Sequence, residues 1–343
     1  MSENNAVLTT HDLSIGYREG GDEKVIRSGI DVALHAGELV CLLGPNGAGK
    51  STLLRTLAGM QPALGGQVCL LGRDVRHQRP RELARRLSVV LTDRITAGGM
   101  LAYDLVALGR YPHTGWMGQL RERDHAMVRW AIHAAGADAL ADRPVGELSD
   151  GERQKVMIAR ALAQEPAAVL LDEPTAFLDL PHRVEAMRTL RDLARRAGQA
   201  ILLSTHDLDL ALRSADRIWL MARGEPLRVG APEDLVLSGA FEATFRREGV
   251  AFDADTGAFA IEQPTAGTVH LTGEGRPALW TRRALERAGY RVTRNGTPAE
   301  VRVRVTNGSS APRWEAETPS RTLTHDSIHD LLASLEAHTA PPA

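Results

Sequence analysis

Two rhythms of apolar positions divide this chain. Alternation in Ile30-Asp31-Val32-Ala33-Leu34 predicts a half-buried strand, and the unbroken run Leu39-Val40-Cys41-Leu42-Leu43 predicts a strand buried on both faces. From Gly49 to Ala58 the spacing turns helical, with Leu53, Leu54 and Leu57 on one face. Farther on, Ala168 to Leu171 and Ala200 to Leu203 are short apolar runs. A helix opened by Pro181 lies between them, with Val184, Met187, Leu190 and Ala194 as its inner face. Strand, helix, strand in that order implies a parallel α/β sheet.

The stretch from about Asp74 to Arg143 reads as mostly helical, clearest at Tyr103 to Arg110 and Glu122 to Ala135. Gln263 to Gly267 reads as a linker, after which the pattern restarts. Thr268 to Leu271 is a strand candidate and Pro277 to Ala288 a helix. Val301 to Val305 alternates as a half-buried strand, and Ile328, Leu331, Leu332 and Leu335 share one helix face. The expected organisation is a main domain over 1–262, with a helical part at about 74–165, and a small α/β domain over 268–339.

Composition narrows the class. With 343 residues, two domains are the natural expectation, and 43% hydrophobic with 24% charged residues is an ordinary globular balance. A net charge of −2 offers no overall basic field, so no nucleic-acid partner is expected. Cys41 and Cys69 each lie in an apolar run, which fits free buried thiols in a reducing compartment. No signal-peptide pattern opens the chain, and no apolar run approaches the roughly 18–20 residues that a membrane span needs. A role at a membrane would therefore require docking onto another chain.

The candidate chemistry starts at Gly44-Pro45-Asn46-Gly47-Ala48-Gly49-Lys50-Ser51-Thr52, which fits G-x-x-x-x-G-K-[ST] between a buried strand and a helix. Backbone N–H groups of such a loop form a nest for phosphates, the helix N-terminus adds partial positive charge, and Lys50 adds a full one. The Ser51 hydroxyl suits Mg²⁺. The apolar strand ending at Leu171 delivers Asp172 and Glu173 to the edge where open α/β sheets bind ligands. Asp172 can hold a hydrated Mg²⁺ and Glu173 can polarise an attacking water. Taken without the loop, both would read as solvated acids ahead of Pro174.

With Leu148-Ser149-Asp150-Gly151-Glu152-Arg153-Gln154 between those two motifs, the chain resembles the ATP-binding cassette family. The segment is similar to the family signature, usually L-S-G-G-Q, which donates to the γ-phosphate of ATP held by the opposite subunit. Read alone, Ser149 is an ordinary helix cap. The resemblance implies ATP hydrolysis with Mg²⁺, and a head-to-tail pair with a second copy in which Ser149 and Gly151 face the partner's nucleotide. It also implies a membrane permease, indirectly a substrate-binding protein, and a peripheral place on the cytoplasmic face of the membrane. Tyr17 matches the adenine-stacking aromatic, Asp179 the loop that crosses the dimer interface, and His206 the histidine that contacts γ-phosphate and the catalytic water.

Asp150 and Glu152 depart from the usual signature glycine and glutamine. After the strand Leu87 to Leu91, Thr92-Asp93 stands where the family carries a glutamine, and Thr92 acting through a water is the favoured substitute, ahead of Asp93. The stretch Ala107 to Trp116 resembles the importers of iron–siderophore, haem and cobalamin complexes. His113 lacks ligand-spaced partners and is not expected to bind metal. A cassette protein of translation or repair would need two cassettes or a long coiled coil, and a small-molecule kinase would not need Leu148 to Gln154 or His206.

Overall fold

The computed structural model describes residues 6–19, 22–91, 99–246, 250–253, 257–261, 266–293, 299, 301–307, 311–319 and 321–339. Thr92 and Asp93 lie outside them. The chain divides into two units, Met1–Phe245 and Arg246–Ala343.

The first unit begins with β1 (Ala6–Glu19), β2 (Asp22–Ile30), β3 (Ala33–His35), β4 (Leu39–Leu43), α1 (Lys50–Leu57), β5 (Gly65–Leu70) and β6 (Arg73–Asp74). Then come α2 (Pro80–Ala84), β7 (Leu87–Val90), α3 (Ala102–Ala107), α4 (Glu122–Ala134), α5 (Asp150–Ala163), β8 (Ala168–Leu171) and α6 (Leu180–Ala197). It ends with β9 (Ala200–Ser204), α7 (Leu208–Ser214), β10 (Arg217–Leu220), β11 (Arg228–Gly230), α8 (Pro232–Leu237) and α9 (Ala240–Phe245).

The three apolar runs become neighbours in a six-stranded sheet of order β11-β10-β4-β9-β8-β7. All of its pairs are parallel except β10 with β11. Every residue of β4, β8 and β9 is buried, as continuous apolar runs require in a sheet covered on both faces. Val40, Leu42, Leu170, Leu202 and Trp219 join Leu53, Leu54 and Leu57 of α1 in one core with the second sheet, β2-β1-β5-β6 with β3 on β1. Parallel pairing in register, Leu42 opposite Ser204 and Leu171 opposite Leu203, ends β4, β8 and β9 at one edge.

Several expectations shift. The predicted strand Ile30 to Leu34 breaks into the end of β2 and the start of β3, because Thr10 takes up the backbone between them. Its hydroxyl donates to Ile30 O (2.7 Å) and accepts from the Val32 N–H (3.0 Å). The alternating burial survives the break. The helical stretch is shorter than the 74–165 expected: β7 belongs to the main sheet, and the run of helices extends from Ala102 to Ala163. Val184 faces outward, 47% exposed, while Met187, Leu190 and Ala194 are buried as expected.

The second unit contains the hairpin β12 (Val250–Asp253) and β13 (Ala258–Ile261), then β14 (Gly267–Thr272), α10 (Gly275–Arg287), β15 (Tyr290–Thr293), β16 (Val301–Asn307), β17 (Pro312–Glu317), β18 (Thr322–His325) and α11 (Ile328–Thr339). Its five-stranded sheet runs β15-β14-β16-β17-β18. Val269, Leu271, Val301, Val303, Val305 and Trp314 pack with Leu285, Leu331 and Leu335 of the two helices. The unit starts at residue 246, ahead of the hairpin, whereas the change of pattern at 263–267 pointed to a later boundary.

Candidate functional site

The loop between β4 and α1 is shaped by close backbone approach. A Cβ on Gly44 would sit 2.3 Å from the carbonyl oxygen of Met221, just past β10, so only glycine fits there. Gly49, at φ 102, precedes the first turn of α1 in a left-handed conformation that turns the chain into the helix. The Lys50 ammonium folds back over the loop and donates to Gly44 O (2.8 Å) and Pro45 O (3.3 Å). Burial lowers its pKa, opposed by the nearby carboxylates of Glu173 and Asp172.

Next to it, the Ser51 hydroxyl donates to Asp172 Oδ1 at 3.2 Å. Asp172 is 4% exposed. Ser204, the last residue of β9, donates from its hydroxyl to the same Oδ1 (2.7 Å) and accepts the Glu173 N–H (2.9 Å). Glu173 adopts φ 48, a left-handed conformation that costs a non-glycine residue roughly 1–3 kcal/mol. The Ser204 bond and the strand behind it hold that conformation and aim the carboxylate at His206, whose Nε2 lies 2.5 Å from Glu173 Oε1. The group therefore combines a cation folded over a glycine-rich loop at a helix N-terminus, two oxygens suited to a hard ion, and a carboxylate hydrogen-bonded to an imidazole. Such a set can bind a polyphosphate and activate a water against it.

Tyr17 joins the same region: its hydroxyl is 2.7 Å from Thr52 Oγ1, and the residue is 40% exposed. The structure thus gathers Tyr17, Lys50, Ser51, Thr52, Asp172, Glu173 and His206. Gly44, Pro45, Asn46, Gly47, Ala48 and Gly49 form the loop that they surround.

Ser149, Gly151 and Asp179 form a second group. Ser149 caps α5: it accepts from the Glu152 N–H (3.3 Å), while its own N–H and hydroxyl donate to Glu152 Oε2 (2.9 and 3.0 Å). Glu152 also pairs with Arg143 (2.6 Å). These bonds, led by the Ser149 N–H, hold the Glu152 carboxyl below its ordinary range. Asp179 caps α6 by accepting the His182 N–H (3.1 Å).

Sequence reading missed Ser204 and Arg223. Ser204 had a signal, a polar residue closing an apolar strand beside His206. Arg223, which donates to Asn46 O at 2.5 Å, had none, because its loop meets the phosphate loop only through the pairing of β10 with β4. His113 is structural: its Nε2 is 2.9 Å from Gln164 O.

Residues 28–176 match the ABC transporter family, and residues 266–336 match the Iron ABC transporter C-terminal domain. The chain is 34% identical over 278 residues to the ferric enterobactin transport ATP-binding protein FepC of Escherichia coli, covering 81% of this chain and 98% of that one. Against the achromobactin transport ATP-binding protein CbrD of Dickeya dadantii, identity is 41% over 229 residues, 67% of this chain and 84% of that one. It is also 37% identical over 272 residues to the cobalamin import ATP-binding protein BtuD of Halobacterium salinarum, 77% of this chain and 68% of that one. Among solved structures, cbiO1 from Clostridium perfringens, part of the ABC transporter complex cbiONQ, superposes with a TM-score of 0.61 at 26% identity over 70% of this chain and 94% of that one. The motifs, the sheet that carries them and these likenesses together make the chain a member of the ABC transporter family, an ATPase cassette followed by an iron ABC transporter C-terminal domain.

Proposed function

We propose that this chain hydrolyses ATP as one of two identical cassettes that drive import of an iron–siderophore or cobalamin-type complex through a separate membrane permease. The carrying observation is the separation of two half-sites. Ser51 bonds to Asp172, His206 to Glu173, and Ser204 links the two acids beside the buried Lys50 at the sheet edge, while the side-chain hydrogen bonds of Ser149 run to Glu152 on a different helix. Exposed apolar side chains flank Asp179: Phe177 (56%), Leu180 (65%) and Val184 (47%). That apolar rim, unusual beside a charged loop, fits a surface covered by a second copy.

In this reading the loop N–H groups and Lys50 bind the β- and γ-phosphates, and Tyr17 stacks on adenine. Ser51 and Asp172 fit Mg²⁺, since both present oxygen to one point; the ion supplies charge neutralisation of the phosphates when bound. Glu173 takes up the proton of the attacking water, and His206 fixes the carboxylate and contacts the γ-phosphate. Ser149, Gly151 and Asp179 complete the site of the opposite copy.

The permease fits a groove of about 360 Å³ lined by Pro80, Arg81, Ala84, Tyr111, Pro112, Gly115 and Trp116. Arg81 and Arg85 both donate to Pro112 O at 2.9 Å and brace its rim, and Trp116 is 95% exposed. No helix among the described residues is long and apolar enough to cross a membrane, which is consistent with a peripheral subunit on the cytoplasmic face. The cargo class rests on the C-terminal domain match and on relatives named for achromobactin, ferric enterobactin and cobalamin transport.

Mixing with a Lys50→Ala chain tests the shared site. Activity should fall faster than the fraction of intact chains, because each variant subunit spoils sites it shares. A loss strictly proportional to that fraction would refute the pairing.

A further inference from the structure

The Asp179 loop and the signature segment lie on different helices, and one side chain joins them. His182, in the first turn of α6, contacts Asp179 Oδ1 through its Nδ1. The other side of its ring lies against Gly151: a Cβ built there would be 3.0 Å from His182 Cδ2 and 3.1 Å from Cγ. A methyl at this signature position would therefore press on the ring, which would have to move by a few tenths of an ångström, so the ring and Gly151 are in close packing within the subunit. Leu178, Gly151 and His182 also line one small, partly open pocket between α5 and α6, which places the ring at the seam between the two helices.

We propose that His182 is a positioning residue that fixes the Asp179 loop to Gly151, so that both reach the partner copy's nucleotide as one rigid surface. The proposal rests on the shared-site reading above. The ring bond and the helix cap are separable. Asp179 Oδ1 also accepts the backbone N–H of His182, at 3.1 Å, and that bond survives removal of the ring. The two bonds from His182 hold the Asp179 carboxyl below its ordinary range, which keeps it charged. An ordered, charged loop loses less freedom when a second copy closes on it.

The test uses full-length protein and compares His182→Ala, His182→Asn, Asp179→Ala and the double variant His182→Ala/Asp179→Ala. The readouts are kcat, KM for ATP, the Hill coefficient and the Kd of a fluorescent ATP analogue. Losing a hydrogen bond to a charged group predicts a kcat about tenfold lower for His182→Ala, with the analogue's Kd unchanged. His182→Asn, whose amide can donate to Asp179, should recover most of that loss. The double variant should be no slower than Asp179→Ala. Unchanged turnover in His182→Ala, failure of the asparagine to rescue, or losses that multiply in the double variant would each overturn the proposal. If instead the unmodified protein loses activity linearly on mixing with Lys50→Ala, the shared-site reading itself has failed.

Discussion

The two half-sites of this cassette are built on opposite principles. At the phosphate-loop edge, Lys50 is 6% exposed and Asp172 4%; the ammonium is held by carbonyls of its own loop, and the carboxylate by Ser51 of α1 and by Ser204 on the neighbouring strand β9. At the signature edge, the side chains of Asp179 and His182 are 63% and 47% exposed, and their bonds are local, between residues three apart. The first half-site is fixed by the sheet. The second is held by helix caps, by arginines bonded within a few residues of the caps, and by one ring packed on one glycine. A site that must hold a tetra-anion gains from preorganised charge in low dielectric. A surface that must close on another chain needs exposed groups whose order comes from nearby.

That contrast is broken most severely at Glu173. Replacing it by glutamine keeps the shape and the left-handed backbone but removes the base, so turnover should fall by about 10²–10⁴-fold. ATP affinity should stay near that of the parent, because the loop and Lys50 are untouched. Turnover assays and size measurement with Mg-ATP should then find a long-lived dimer. Near-normal turnover would take Glu173 out of the role assigned above.

Glycine substitution separates the edges further. Gly44→Ala would force a methyl against Met221 O, an overpacking cost of about 1–3 kcal/mol, with nucleotide binding lost in each subunit. Ser149→Ala removes a cap worth about 1 kcal/mol, yet leaves the phosphate loop intact. Urea unfolding and binding of a fluorescent ATP analogue should therefore rank the two differently. Gly44→Ala should lose both stability and analogue binding, whereas Ser149→Ala should lose about 1 kcal/mol of stability but keep analogue binding. Equal failure of analogue binding would erase the distinction between the edges.

Most of the phosphate-loop edge was legible because its chemistry is written in contiguous residues that end apolar runs: Gly44 to Thr52 after β4, and Asp172-Glu173 after β8. Arg223 was not, and Ser204 was only in part, since their roles depend on which strands become neighbours, and the order β10-β4-β9-β8 follows from packing that local periodicity does not encode. Val184 misled for a related reason. Helical spacing identifies a face but not how far along that face burial begins, and in α6 it begins at Ala186 and Met187. In the second unit the alternation of Val301 to Val305 sufficed for β16, whereas β17, in which Arg313, Glu315 and Glu317 alternate with only Trp314 and Ala316, went unread.

The smallest effect concerns Glu152, which stands where the family usually has glutamine. Its folded pKa lies below the ordinary value, chiefly because the Ser149 N–H donates to it, with Arg143 adding to the shift. A carboxylate whose pKa is depressed by folding contributes stability that is complete above its unfolded value, about 4.3, and is lost as pH falls through the lower folded value. Glu152→Gln retains an acceptor for the Ser149 N–H but gives up the charge that meets Arg143. The parent should therefore melt slightly higher than Glu152→Gln at pH 6–7, by no more than the ~1 kcal/mol of a partly exposed pair. As the pH drops below about 4, the protonated glutamic acid comes to resemble the glutamine, and the two melting curves should converge. Parallel curves down to acid unfolding would mean that the charge of Glu152 contributes nothing, and that the cap alone orders the start of α5.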